Sequence, residues 1–121
     1  MATLIAFTAD DPRPIAQAVE HLLTHHRFRR IPMPATAGYL LASAASMRGT
    51  GVVALIVAGH QAESVRAAGG TVVHLDTGAG LRIDPELIDV TIPADDPQLL
   101  RVSLDELAVT RTVAQVLEPA A

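Results

Sequence analysis

The sequence contains no cysteine and no tryptophan, and all nine of its basic residues are arginines. Without cysteine the chain has no disulfide, no thiolate zinc site and no cysteine nucleophile. Without lysine it has neither the lysine of a phosphate-binding loop nor a lysine able to form a Schiff base. These absences exclude several classes of enzyme before any motif is considered.

Aromatic residues and positive charge are also scarce. Aromatic residues make up 2% of the 121 residues, and nine basic against 13 acidic residues give a net charge of −4. Nucleic-acid-binding proteins usually carry a basic patch for the phosphates, and many stack bases on aromatic rings. We therefore expect no nucleic-acid partner.

Long hydrophobic runs are missing as well. The apolar run at residues 52–58 is far shorter than the ~20 residues that a membrane-spanning helix needs. Residues 1–9 are apolar, but they lack a basic leader and run directly into Asp10 and Asp11, unlike a signal peptide. Half of the residues are hydrophobic, which suffices for one core. We expect a single cytoplasmic domain over residues 1–121, without membrane contact.

Short apolar runs alternate with stretches of helical character along the chain. Strands are predicted at residues 3–8, 28–31, 52–58, 71–75 and 90–92, and helices at residues 14–25, 35–47, 60–68 and 96–117. Asp96 is the predicted N-cap of the last helix, and a second capping signal at Ser103 and Glu106 leaves open the alternative of two shorter helices. The alternation predicts an α/β fold, a three-layer sandwich around a mostly parallel sheet of about five strands.

The loop that follows the first strand is the expected position of a ligand site. In open parallel sheets, ligands bind at the carboxyl ends of the strands. A loop that cradles phosphate there is rich in glycine and leads to a lysine and a Ser or Thr at the start of the helix. Residues 9–14 contain no glycine.

Three segments carry a resemblance to a known family. They are LIAFTADDPRPIAQAVEHLL leading into HHRFRRIPMPA, then LIVAGHQAESVRAAGGTVVHL, and finally DVTIPADDPQLL. In these segments the chain resembles the P-loop deoxynucleoside monophosphate kinases of phages and bacteria. The resemblance covers most of the chain and implies a P-loop-kinase-like fold, a phage-associated setting, and a nucleotide or other phosphorylated ligand.

The catalytic residues of that family are replaced in this chain. The glycine positions of the phosphate loop fall on Ala9, Pro12 and Pro14, and the lysine position falls on Ile15. Members of the family are also longer. They carry substrate-binding and lid elements between the second helix and the next strand, where this chain has only residues 47–51. Phosphoryl transfer depends on positioning and on cations that neutralise charge. The resemblance therefore implies a degenerate, non-catalytic kinase-like protein without a cofactor, which acts as a binding or oligomeric module.

Two alternatives remain open. In the first, the chain is a small nucleoside monophosphate kinase-like transferase that still binds a nucleotide or phosphate. In the second, it is a flavodoxin-like or response-regulator-like module, because Asp10 and Asp11 after the first strand resemble a receiver's acidic pocket. The lysine of such a pocket is missing, and so is an aspartate at the end of residues 52–58.

Candidate ligand-binding residues follow from position and charge. They are Ala9, Asp10, Asp11, Arg13 and His60, which lie after the first or third predicted strand, and a basic cluster of Arg27, Arg29 and Arg30. Arginine's planar fork suits phosphates and carboxylates. The alternative interpretations are a capped helix start for the loop, a capping or solvent-facing residue for His60, and a charge-guarded sheet edge for the cluster.

His21 and His25 are four residues apart and share one face of the predicted helix, as zinc ligands can, with Glu20 and His26 adjacent. The sequence places no third ligand beside them, and the spacing is not that of a His-Glu-x-x-His motif. We therefore predict a solvated helix end, with no metal site.

The predicted helix at residues 35–47 is rich in alanine and leucine. Its apolar side would suit either the core of the domain or an interface with a second copy or another protein. The absence of the family's covering elements favours self-association slightly. The residues of this face are Leu40, Leu41, Ala44, Ala45 and Met47, with Tyr39 nearby.

Overall fold

A computed structural model describes residues 4–31, 51–78 and 80–117, with side chains up to residue 109. The strands are β1 (Leu4–Ala9), β2 (Phe28–Arg30), β3 (Gly51–Leu55), β4 (Thr71–Asp76) and β5 (Val90–Pro93). The helices are α1 (Pro12–His25), α2 (Gly59–Ala67) and α3 (Pro97–Leu117). Within these ranges, no helix combines the length and the hydrophobicity needed to cross a membrane.

The five strands form one sheet in the order β2-β3-β1-β4-β5, and every neighbouring pair is parallel. This confirms the predicted α/β fold with a parallel sheet. Flavodoxin-like proteins and receivers place β1 between β2 and β3, in the order 2-1-3-4-5. Here β3 lies between β2 and β1, so the flavodoxin-like or receiver-like alternative is wrong.

The central strand β1 is buried on both faces, which explains why its sequence is a continuous apolar run. On one face Ile5 and Phe7 pack with side chains of α1 and α3, and on the other Leu4 and Ala6 pack with side chains of α2. The sheet therefore separates two hydrophobic cores, and the molecule has the predicted three layers.

Strand β3 ends at Leu55, three residues before its predicted end. Beyond it, the backbone N–H groups of Val57 and Ala58 donate to Gln61 Oε1 at 2.8 and 3.2 Å, so the chain turns into α2. The apolar run in the sequence does not show where the strand ends, because Ile56, which follows the strand, is also apolar and buried.

Asp96 caps α3 as predicted, since its Oδ1 accepts the N–H of Gln98 at 2.9 Å. The helix then continues without a break past Ser103 and Glu106, as the predicted helix over residues 96–117 requires, so the alternative of two helices is wrong. Leu104 and Ala108 are buried against the sheet, and their packing favours one continuous helix. The helix predicted at residues 35–47 and its proposed interface lie outside the described residues.

Candidate functional site

The loop after β1 forms the N-terminal cap of α1, and its acidic and basic side chains pair with each other. Asp11 is the N-cap of α1, and its Oδ1 accepts the N–H of Arg13 at 2.9 Å. The Arg13 guanidinium folds back on the same carboxylate, with Nε 3.1 and 3.0 Å from its two oxygens. These hydrogen bonds lower the pKa of Asp11 and raise that of Arg13. A carboxylate thus occupies the end of the helix where a phosphate would bind.

The other residues predicted for a ligand site do not join this pair. Ala9 is buried in the core, Asp10 is exposed, and His60 is exposed in the first turn of α2. Across the described ranges, no hydrogen bond or ion pair links His60 to Asp11 or Arg13. Of the five predicted residues, the structure brings together Asp11 and Arg13.

The predicted arginine cluster lies on the edge strand β2 and just before it. Arg27, Arg29 and Arg30 are all exposed, and none forms an ion pair with another described residue. Arg30 lines an apolar cleft of about 420 Å³ beside α1. Because side chains alternate along a strand, Arg29 faces the opposite side of the sheet from Arg30.

A buried charge network, not predicted from the sequence, lies on the α2 face of the sheet. Arg66 of α2 holds Asp89 with two hydrogen bonds, Nε to Oδ1 at 3.0 Å and Nη2 to Oδ2 at 2.6 Å. His74 Nε2 lies 2.8 Å from Asp89 Oδ2, and the N–H of Glu86 donates to the same oxygen at 3.0 Å. The side chains of His74 and Asp89 are completely buried.

Burial alone would raise the pKa of Asp89. Hydrogen bonds from Arg66, from the backbone of Glu86 and from His74 outweigh it, and they hold the pKa of Asp89 far below its usual value. Asp89 is therefore a buried carboxylate ion, and His74 Nε2 must donate to it, because a carboxylate ion only accepts. The network fixes the segment before β5 to α2 and β4.

Two polar atoms next to this network, His74 Nδ1 and Thr8 Oγ1, are buried and have no hydrogen-bond partner in the part of the chain that the structure describes. Thr8 and His74 are direct neighbours in the pairing of β1 with β4, and both lie on the α2 face. Buried polar groups of this kind are commonly satisfied by an internal water molecule. The complete burial of His74 leaves it no access to a substrate from solvent.

A second cluster joins α1 to α3. His21 Nε2 and His26 Nε2 lie 2.6 and 2.7 Å from Asp105 Oδ1. Hydrogen bonds with the two histidines lower the pKa of Asp105. The sequence pointed to His21 and His25, but His25 packs its ring against His21, with centroids 4.8 Å apart, and His26 takes the second position in the cluster.

The sequence could not identify Asp105 as the third member of the cluster, because it is 84 residues away from His21. Likewise, Asp89 is 23 residues from Arg66 and 15 from His74. The sequence shows only that acidic and basic residue types occur on different helices and strands. This is common in α/β proteins and does not identify which residues pair.

No family model matches the chain, and no curated protein matches it. Two solved structures are similar, both de novo designed proteins determined by solution NMR. One is 18% identical to this chain, and the alignment covers 88% of this chain and 90% of the designed protein, with a TM-score of 0.55. The other, a designed P-loop fold protein, is 14% identical, covers 98% of each chain, and has a TM-score of 0.57. This similarity establishes the fold alone.

Proposed function

We propose that the chain is a non-catalytic protein with a nucleotide-kinase-like fold, which acts as a binding or oligomeric module. The observation that carries this proposal is the ion pair of Asp11 and Arg13 at the start of α1. A phosphate loop offers free backbone N–H groups and a lysine to the ligand. In this chain Asp11 accepts one of those N–H groups itself, and its negative charge would repel a phosphate.

The fold and the position of the loop support the kinase-like part of the proposal. The loop lies at the carboxyl end of the central strand β1, which is next to β3. Helix α1 follows β1 and helix α2 follows β3, and the two helices pack on opposite faces of the sheet. This is the point at which open α/β sheets bind ligands. A protein that kept this architecture, but whose own carboxylate occupied the phosphate position of the loop, would lose phosphoryl transfer and keep its surfaces for binding.

An assay of purified protein with ATP, Mg²⁺ and each deoxynucleoside monophosphate tests the proposal. We expect no transfer above the rate without protein. Arg13→Ala serves as the matched variant, because it removes the loop's one cation and leaves Asp11 as the helix cap. Phosphoryl transfer that Arg13→Ala abolishes would contradict the proposal and identify the loop as a modified active site.

A second candidate is a protein that retains nucleotide or phosphate binding without catalysis. The observation in its favour is the exposed cluster of Arg27, Arg29 and Arg30, which lacks acidic partners among the described residues. Thermal unfolding with phosphate, nucleotides and chloride at equal ionic strength tests it. Stabilisation by a nucleotide that Arg29→Ala or Arg30→Ala removes would favour this candidate. An equal shift with chloride would reflect screening of charge.

A further inference from the structure

We propose that His21, His26 and Asp105 form a binding site for a divalent transition-metal ion, with Zn²⁺ as the representative ion. One ligand atom from each of the three residues lies within 4.8 Å of the others. The site joins the last turn of α1 to the middle of α3, so its parts come from opposite ends of the chain. This inference is independent of the proposed function, because it concerns neither the loop after β1 nor a nucleotide.

The donor set suits zinc and its neighbours among the transition metals. Two imidazole nitrogens with one carboxylate oxygen are a recurrent ligand set for Zn²⁺, and they leave a fourth tetrahedral position for water. The side chains of His21 and His26 are 10% and 21% exposed, whereas that of Asp105 is 50% exposed. The histidines are therefore held in place by the fold, and the open side of the cluster faces solvent.

Without a metal, one carboxylate oxygen contacts both histidine nitrogens, at 2.6 and 2.7 Å. Tetrahedral ligands at zinc bond lengths lie about 3.3 Å apart, so each of these distances would lengthen by roughly 0.7 Å. Asp105 can make this adjustment, because its half-exposed side chain is the least confined of the three. The two histidine nitrogens, which lie within 4.8 Å of each other, would have to reach the same spacing by rotation of their rings. The metal ion would take the place of the protons that now bridge nitrogen and oxygen.

The surroundings also provide access for an ion. A cleft of about 340 Å³ lies beside His21, between α1 and α3, and includes Glu20, His25 and Arg101. Glu20 favours an incoming cation and Arg101 opposes it, while the chain as a whole carries a net charge of −4. No described arginine forms an ion pair with Asp105, so the groups that a cation would have to share its carboxylate with, among the described residues, are His21 and His26.

The test uses the chain without a histidine tag, treated with EDTA and then dialysed. Calorimetric titration with Zn²⁺ measures affinity and stoichiometry, and visible absorption after addition of Co²⁺ reports tetrahedral coordination. We expect one ion per chain and a tetrahedral Co²⁺ spectrum. Loss of an outer-shell partner typically costs 10–100-fold in affinity, so loss of a ligand in Asp105→Asn or His26→Ala should cost more than about tenfold.

His60→Ala, which removes an exposed histidine on α2, is the matched control, and we expect it to keep the affinity within about twofold. His25→Ala removes the ring that packs against His21, and we expect it to lose less affinity than His26→Ala. Far-UV circular dichroism in EDTA verifies folding. If His21→Ala does not fold, Asp105→Asn, which preserves the shape of the side chain, carries the test.

Three results would overturn the proposal. The first is failure of the wild-type chain to bind Zn²⁺. The second is equal affinity in the wild type and Asp105→Asn, which would mean that the carboxylate only accepts hydrogen bonds. The third is a loss in His25→Ala as large as that in His26→Ala, which would assign the ion to the His21 and His25 pair on the face of α1. None of these results depends on the kinase assay.

Discussion

Among the residues whose side chains the structure describes, Asp89 carries the charge most fully enclosed by the fold. Its carboxylate has no contact with solvent, and Arg66, His74 and the backbone of Glu86 supply its hydrogen bonds. A buried charge is tolerated only when it is paired, so each member of the network depends on the others. Asp89 accordingly holds α2, β4 and the segment before β5 together.

Asp89→Asn should lower the free energy of unfolding by about 3–5 kcal/mol at neutral pH, the usual cost of breaking a buried ion pair. The substitution removes the charge that compensates Arg66, whose side chain is 12% exposed. Urea denaturation followed by circular dichroism measures the effect. Asp84→Asn, at an exposed position in the same segment, is the control and should change stability by less than about 0.5 kcal/mol. Equal effects of the two substitutions would mean that the network contributes little.

The contribution of Asp89 should also depend on pH, with a definite sign. The pKa of Asp89 is lowered in the folded protein, whereas an aspartate in an unfolded chain titrates near 3.9. Below about pH 4 the unfolded state takes up a proton at Asp89 while the folded state does not, so this contribution is complete above about pH 5 and falls as the solution is acidified. Urea denaturation at pH 6 and pH 3 should therefore give a smaller difference between wild type and Asp89→Asn at pH 3. An unchanged difference would contradict the assigned pKa.

At the scale of helices and strands, Gly69 and Gly70 end α2 and lead into β4. Gly69 has a φ of +80°, which favours glycine. Gly70 is required for a different reason, because the backbone there lies against the side chains of Leu4 and Val65. The first glycine turns the chain and the second allows α2 to lie close to the edge of the core.

Gly70→Ala should therefore destabilise the protein by about 1–3 kcal/mol, the usual cost of overpacking a core. The new Cβ would lie 2.7–2.8 Å from atoms of Leu4 and Val65. Gly59→Ala is the control, since a Cβ there meets nothing within 4 Å. We expect it to be neutral or to stabilise by up to about 1 kcal/mol, because alanine restricts the unfolded chain. Chemical denaturation of both variants measures the difference, and similar midpoints would contradict the close packing at Gly70.

The sequence predicted the order and type of these elements because each strand of a parallel sheet is a short apolar run flanked by turn residues. Residues 71–75 were predicted almost exactly, since Gly69 and Gly70 precede β4. The end of β3 was not predicted correctly, because Ile56 is as apolar as the strand before it. The loop of Asp11 and Arg13 could be recognised as a helix cap from local sequence alone. The clusters around Asp89 and Asp105 could not, because they form only when distant elements pack.

For the molecule as a whole, the order of the strands is the property that local sequence does not contain. It depends on pairings between distant residues, such as Phe7 with Leu55 and Ile5 with Thr71. Those pairings place β1 in the centre, with a hydrophobic core on each of its faces. The two cores therefore share the same strands, and disruption of one removes a wall of the other.

This shared wall predicts that the two faces unfold together. Leu104→Ala truncates a completely buried side chain of α3 and should cost about 2–5 kcal/mol. Leu99→Ala, on the same helix but 45% exposed, is the matched control and should cost far less. Native-state hydrogen exchange resolves the effect by element. In Leu104→Ala, the slowest amides of α2, on the opposite face, should lose as much protection free energy as those of α1. If α2 kept its protection while α1 lost it, the two cores would open independently and the sheet would not couple them.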